Sequence, residues 1–173
     1  MRRAPGIGAL ALLALGGWLL VQGWVGGGGS NENGNPEPVG SPVRASVVRV
    51  VDGDTIVASV DGRDEYVRYI GVDTPETVKP DAPVQCYGPD ASKENHKLVE
   101  GRTVRLVFDR EARDDYGRLL AYVYAGGRFV NGALARGGYA RTLEIAPNTS
   151  HAAKLQRLAT RAATAGRGLW GAC

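Results

Sequence analysis

Residues 43–72 read Val43-Arg-Ala-Ser-Val-Val-Arg-Val-Val-Asp-Gly-Asp-Thr-Ile-Val-Ala-Ser-Val-Asp-Gly-Arg-Asp-Glu-Tyr-Val-Arg-Tyr-Ile-Gly-Val72. Runs rich in valine and isoleucine are cut twice by aspartate–glycine pairs, which are tight-turn signals between paired strands. The pattern predicts strands over Val43–Val51, Thr55–Val60 and Tyr66–Val72. Further along, Thr103–Asp109 alternates with Val104, Leu106 and Phe108 on one face, and Leu119–Tyr124 forms a fifth run that ends at Gly126-Gly127. Three helices are expected between and after these strands. Pro89 suits a first helical position and Gly101 a C-terminal stop, bracketing residues 89–100. Asn131–Arg136 is stopped by Gly137-Gly138. In the last segment Ala152, Leu155, Leu158, Ala159 and Ala162 share a face, with Lys154, Arg157 and Arg161 off it, up to Gly166. Three strands, a helix, two strands and then helices define an α+β chain with a small closed or nearly closed sheet.

The chain upstream of this domain reads differently. Arg2 and Arg3 precede an apolar run, Ile7–Val25, which has the shape of an export signal. A cleaved signal and a retained membrane anchor both fit residues 1–25; either way the arginines hold the N-terminus inside and the domain ends up outside. Residues 26–42, rich in Gly, Asn and Pro, lack the apolar surface to order themselves and read as a tether. Residues 43–173 form the globular domain. Setting aside Arg2, Arg3, Glu32 and Glu37 from 21 basic and 18 acidic residues leaves 19 against 16. A surplus of three is too small to argue nucleic-acid binding from charge alone.

Only Cys86 and Cys173 are present, and in an exported domain such a pair reads as a disulfide. It would close a long loop and add about 4 kcal/mol in the loop-entropy model. A zinc site is disfavoured, because His96 and His151 are distant and only two cysteines exist.

The acidic residues concentrate in short segments. Asp52-Gly53-Asp54 alone reads as a hairpin tip, and an EF-hand loop is excluded because its twelfth position is Arg63. Asp73-Thr-Pro-Glu76 lies just after a strand, where carboxylates project from the edge of a scaffold. Arg68 sits inside an apolar strand and so needs an anionic partner, and Arg118 follows Gly117, where a loop can approach a phosphate closely. Clustered carboxylates suit a hard cation, and guanidinium groups grip phosphate oxygens. Together they are the parts for phosphodiester hydrolysis.

Val51-Asp-Gly-Asp-Thr55, Arg68-Tyr-Ile-Gly-Val-Asp-Thr-Pro-Glu76, Tyr116-Gly-Arg118, Asn131-Gly-Ala-Leu134 and Pro147-Asn148 stand in an order and spacing that resembles the thermonuclease, or staphylococcal-nuclease-like, family over about residues 43–171. The resemblance implies a five-stranded OB-fold barrel with three helices and a calcium-dependent endonuclease acting on DNA and RNA. It implies cleavage of the P–O5′ bond, leaving 3′-phosphate ends. By the same resemblance, Asp54 and Asp73 would ligate Ca2+ through carboxylates and Thr74 through its carbonyl, with Asp52 in the outer shell. Glu76 matches the general base, Arg68 and Arg118 the phosphate-contacting pair, and Tyr116 a residue near a terminal phosphate. The chain departs from the family at Leu143 and Ile145, where a tyrosine pair packs the substrate base, and at Asp115, where a lysine is usual. Base stacking contributes about 1–3 kcal/mol per base, so affinity is where these changes should act. A nucleic-acid-binding OB module without catalysis is the alternative; it has no need of Asp54, Asp73, Glu76, Arg68 and Arg118 together.

Overall fold

The structure, a computed structural model, describes residues 41–77 and 83–173. The expected export or anchor segment 1–25 and residues 26–40 of the expected tether lie outside the described residues. Among those described, no helix is long and apolar enough to cross a membrane.

Strand β1 (Val43–Val50) pairs antiparallel with β2 (Thr55–Val60) on one side and with β5 (Thr103–Val107) on the other. β2 pairs antiparallel with β3 (Arg63–Tyr69), and β5 pairs with β6 (Leu119–Ala125). A parallel ladder between β3 and β6, from Val67↔Leu119 to Tyr69↔Ala121, closes the ring. These five strands are the expected OB-type barrel, and closure leaves no open edge. Their inward residues, among them Ile56, Val67, Val104, Leu106 and Val123, are fully or almost fully buried. In β1 the register slips between Val47 and Arg49, so Val48 is an extra, half-exposed residue that bends the strand.

The third expected strand, Tyr66–Val72, is broken. β3 ends at Tyr69, and β4 (Gly71–Asp73) leaves the barrel to pair with β8 (Arg141–Leu143), a ladder absent from the sequence reading. Gly71 makes the turn, with φ +78°, and an added Cβ would stand 2.5 Å from Leu155 Cδ1. Asn131, wholly buried, serves the backbone at this break: its amide donates to Ile70 O at 2.8 Å, and its Oδ1 accepts from Val123 N at 2.9 Å. The effect is to take the chain out of the barrel at Asp73, which is exposed, while Thr74 packs back against Gly53 and Asp54.

Helices α1 (Gly88–Val99), α2 (Val130–Gly137) and α3 (Ala152–Thr164) fall close to the expected spans. Leu134 and Ala135 of α2 and Leu155 and Ala159 of α3 extend the barrel core. A two-residue strand β7 (Arg128–Phe129) and a one-turn helix α4 (Leu169–Ala172) are additional. Cys86 and Cys173 are bonded, with Cα atoms 6.0 Å apart, so α4 is tied to the segment that leads into α1.

Candidate active site

The turn between β1 and β2 carries the first acids. Asp54 N donates to Asp52 Oδ1 at 3.0 Å, which makes Asp52 a brace for the turn rather than an outward ligand. Gly53 lies flat against Thr74: a Cβ there would sit 2.7 Å from Thr74 Oγ1. This close approach lets the Thr74 amide and hydroxyl both donate to Asp54 Oδ2, at 2.7 and 3.0 Å. Thr55 Oγ1 donates to Asp54 Oδ1 at 3.2 Å. Asp54 is 4% exposed, and burial pushes its carboxyl up to about 6 despite the opposing pull of Arg68.

Arg68 is the hub. It projects from β3, and its Nη1 lies 2.8 Å from Asp54 Oδ1 and donates to Val72 O at 2.9 Å; Nη2 donates to Asp73 Oδ1 at 2.9 Å. Its side chain is 15% exposed while that of Asp73 is 53% exposed, so one guanidinium joins a buried carboxylate to an open one. The anionic partner that an arginine in an apolar strand requires is thus double.

Glu76 follows on the segment that leaves the barrel. Its carboxylate Oε1 accepts from Thr77 N at 2.9 Å, and its backbone is held from both sides by Gln85. Gln85 was not singled out by the sequence. The only local signal was its place next to Cys86, which pins this segment to the C-terminus.

The loop before β6 brings in Arg118. Asp114 Oδ1 accepts from Tyr116 N and Arg118 N, and its Oδ2 from Arg118 Nε at 2.8 Å, so one carboxylate orders both the loop and the guanidinium. The Arg118 guanidinium lies 5.5 Å from the centre of the Tyr116 ring, which is 85% exposed. Arg113 forks onto Glu65 of β3 at 2.7 and 2.9 Å, and Asn148 exchanges two hydrogen bonds with the Glu111 backbone. These two ties fix both flanks of the loop. Arg113, Glu65 and Gln85 are supporting residues that motif reading missed, since their partners lie outside the motifs or the residues are unremarkable in type; Asp114 lies beside the Tyr116-Gly-Arg118 motif, and only its hydrogen bonds show its role.

Arg68, Arg118, Tyr116, Asp115, Leu143 and Ile145 all line one groove of about 340 Å³. Leu143 and Ile145 are 39% and 63% exposed and give the groove an aliphatic stretch of lining. Among the described residues, no three His, Cys, Asp or Glu side chains meet as a metal-holding group. The expected calcium set has two carboxylates, Asp54 and Asp73, plus the Thr74 carbonyl. All its donors are oxygens, which fits a hard cation, although both carboxylates already share Arg68.

A closed OB-type barrel with paired arginines and carboxylates at its rim defines the class, and the comparisons with known proteins agree. The family described as Staphylococcal nuclease homologue matches residues 66–172, and this chain belongs to it. It is 53% identical over 105 residues to a thermonuclease of Staphylococcus intermedius, covering 61% of this chain and 62% of that one. It is 42% identical over 124 residues to a thermonuclease of Staphylococcus hyicus, covering 72% and 73%. Endonuclease YncB of Bacillus subtilis is 48% identical over 111 residues, covering 63% of this chain and 53% of its own length.

Proposed function

We propose that this protein is an exported, calcium-dependent endonuclease that hydrolyses phosphodiester bonds of DNA and RNA. The observation that carries the reading is the meeting of Arg68, from β3, and Arg118, from the loop before β6, on one groove. The phosphorane of phosphodiester hydrolysis holds more negative charge than the diester, so two fixed cations favour it over the ground state. Asp54, Asp73 and Asp114 hold the guanidiniums in place before substrate arrives, which removes their reorganisation from the barrier. Glu76 orients a water, whose oxygen bonds to phosphorus as the P–O5′ bond breaks, leaving a 3′-phosphate and a 5′-hydroxyl. Its contribution here is orientation of the water rather than proton abstraction.

Asp54 and Asp73 through carboxylates and Thr74 through its carbonyl are the residues that would hold calcium, with Asp52 behind them. When bound, the ion supplies Lewis-acid polarisation and places the attacking water. Export is supported by the basic-then-apolar start of the chain and by the Cys86–Cys173 bond, which persists in oxidising compartments. The end state is a secreted protein or one anchored to the outer face of the cytoplasmic membrane through residues 7–25.

The test is digestion of plasmid DNA and of RNA by the purified protein with calcium, then with chelator. Glu76→Ala and Arg118→Ala should each reduce cleavage by about 10²–10³-fold. Cleavage that ignores chelator rejects the calcium role, cleavage that survives the two substitutions combined rejects the assigned residues, and nucleic-acid binding with no cleavage favours a binding module.

A further inference from the structure

One side of the barrel, formed by β1, β5, β6 and β7 together with α3, carries basic side chains. None of β1, β5, β6, β7 or α3 contains an aspartate or glutamate. Arg44 and Arg105 stand directly opposite each other across the β1–β5 ladder, both exposed. Like charges so placed repel and destabilise a sheet. Among the described residues neither arginine has an ion-pair partner.

Aromatic rings support these cations instead of carboxylates. The Arg105 guanidinium lies 4.1 Å from the centre of the Tyr124 ring, and Tyr124 stacks on Phe129 at 5.1 Å. Lys154 Nζ lies 5.0 Å from the Phe129 ring centre. From Lys154 the row continues along α3 to Arg157 and Arg161, exposed residues spaced three and then four apart and so on one helix face. Ring faces attract cations without neutralising them, so the N–H groups remain available to an outside anion. The carboxylate closest in sequence to β5, Asp109, is 2% exposed and taken by Ser150 and Tyr122. The nearby exposed acids lie outside these elements: Asp61 and Asp64 at the start of β3, Glu100 before β5, Glu111 after it and Glu144 before α3.

This row starts one short stretch of β6 away from the groove. Leu120, Tyr122 and Tyr124 alternate onto the same face of β6. Leu120 pairs with Arg68 and lines the groove; Tyr124 lies four residues on, or about 13 Å at ~3.3 Å per residue. The turn that ends at His151 covers Tyr122 between them. We infer that Arg44, Arg105, Lys154, Arg157 and Arg161 form a second nucleic-acid surface, which holds the backbone of the strand beyond the bond being cut. Separate cations spaced along a path suit a polyanion with regularly spaced phosphates, and about 13 Å spans roughly four phosphates of a duplex strand at 3.4 Å each. The inference rests on the nuclease reading for its substrate, but binding tests it without cleavage.

The full chain and an Arg105→Gln/Lys154→Gln/Arg157→Gln variant would be titrated with a 30-base-pair duplex in chelator, at several salt concentrations. All three residues are exposed; equal thermal unfolding of the two proteins verifies folding, and Lys154→Gln/Arg157→Gln alone serves if Arg105→Gln disturbs β5. Loss of three phosphate contacts should lower the slope of log affinity against log salt by about 2–3. With calcium, cleavage of the long duplex should become several-fold less efficient through KM, while a dinucleotide substrate is cut at the unchanged rate. Ridge-dependent duplex binding in a protein that cuts nothing would retain this inference and reject the nuclease reading. Equal affinity and salt slope in both proteins overturns the inference. So does a variant that loses only its binding to vesicles containing phosphatidylserine, which would assign the ridge to a membrane surface.

Discussion

Glu76 and Gln85 hold each other through two hydrogen bonds: the Glu76 amide donates to Gln85 Oε1 at 3.0 Å, and the Gln85 amide donates to the Glu76 carbonyl at 2.9 Å. The next residue is Cys86, bonded to Cys173 at the end of α4. The segment that carries the proposed water-orienting carboxylate is thereby anchored to the opposite end of the chain. Gln85 acts on the reaction only through Glu76, so it is a positioning residue.

Gln85→Ala should therefore act on kcat more than on KM. Removing one neutral hydrogen bond costs about 1 kcal/mol of stability, whereas a small misplacement of a catalytic group costs up to about 10²-fold in rate. Steady-state kinetics on a defined oligonucleotide, with thermal unfolding in parallel, separates the two. Glu76→Ala combined with Gln85→Ala should be no slower than Glu76→Ala alone, because the glutamine acts through the glutamate.

Reduction of the Cys86–Cys173 bond should lower stability by about 4 kcal/mol, the loop-entropy figure for so long a closure. Thermal unfolding of Cys86→Ser/Cys173→Ser reads it. The same variant should reproduce part of the kcat loss of Gln85→Ala at temperatures where it is fully folded. An unchanged kcat there would separate the bridge from the site.

Gly53→Ala should damage the site without opening the core. Its Cβ would meet the Thr74 side chain at 2.7 Å and drive it from Asp54, breaking the hydroxyl's hydrogen bond to a buried carboxylate and disturbing that of the Thr74 amide. The expected cost is about 2–3 kcal/mol, typical for polar groups left poorly satisfied in a buried place. Calcium should then protect this variant less than wild type in thermal unfolding, because a ligand stabilises only through the native site it fits. Equal calcium protection would show that the Thr74–Asp54 arrangement is irrelevant to the ion.

His151 supplies a pH dependence remote from the acids. Its ring is packed against Tyr122 at 4.3 Å and Phe129 at 5.3 Å, its Nε2 meets the Tyr124 hydroxyl at 3.2 Å, and its buried Nδ1 has no partner. Burial depresses its pKa below the ordinary 6.5. The unfolded chain therefore takes up the proton first as pH falls. The stabilisation is complete above about 6.5 and declines below it, down to the lowered folded value. The stability difference between wild type and His151→Phe, measured by denaturant unfolding at pH 7.5 and 5.5, isolates this group. Wild type should lose ground relative to the variant at the lower pH.

The strand runs, the three main helices and the closing of a small sheet were legible because period-two and period-3.6 patterns are local. So are the aspartate–glycine tips that separate the strands. The candidate residues were legible because their types and order are distinctive: Asp54, Arg68, Asp73, Glu76 and Arg118 needed no coordinates to be picked out. Tertiary structure alone decided how they are held. The break at Gly71 depends on Leu155 lying where a Cβ would go, and no pattern within Tyr66–Val72 reports a side chain more than eighty residues away. Arg68 joining a buried to an exposed carboxylate, Gln85 clamping Glu76, and Arg105 resting on Tyr124 are likewise contacts that no local periodicity reports. Pairing energies of this kind depend on distance and burial, which residue identity does not encode until the barrel has closed.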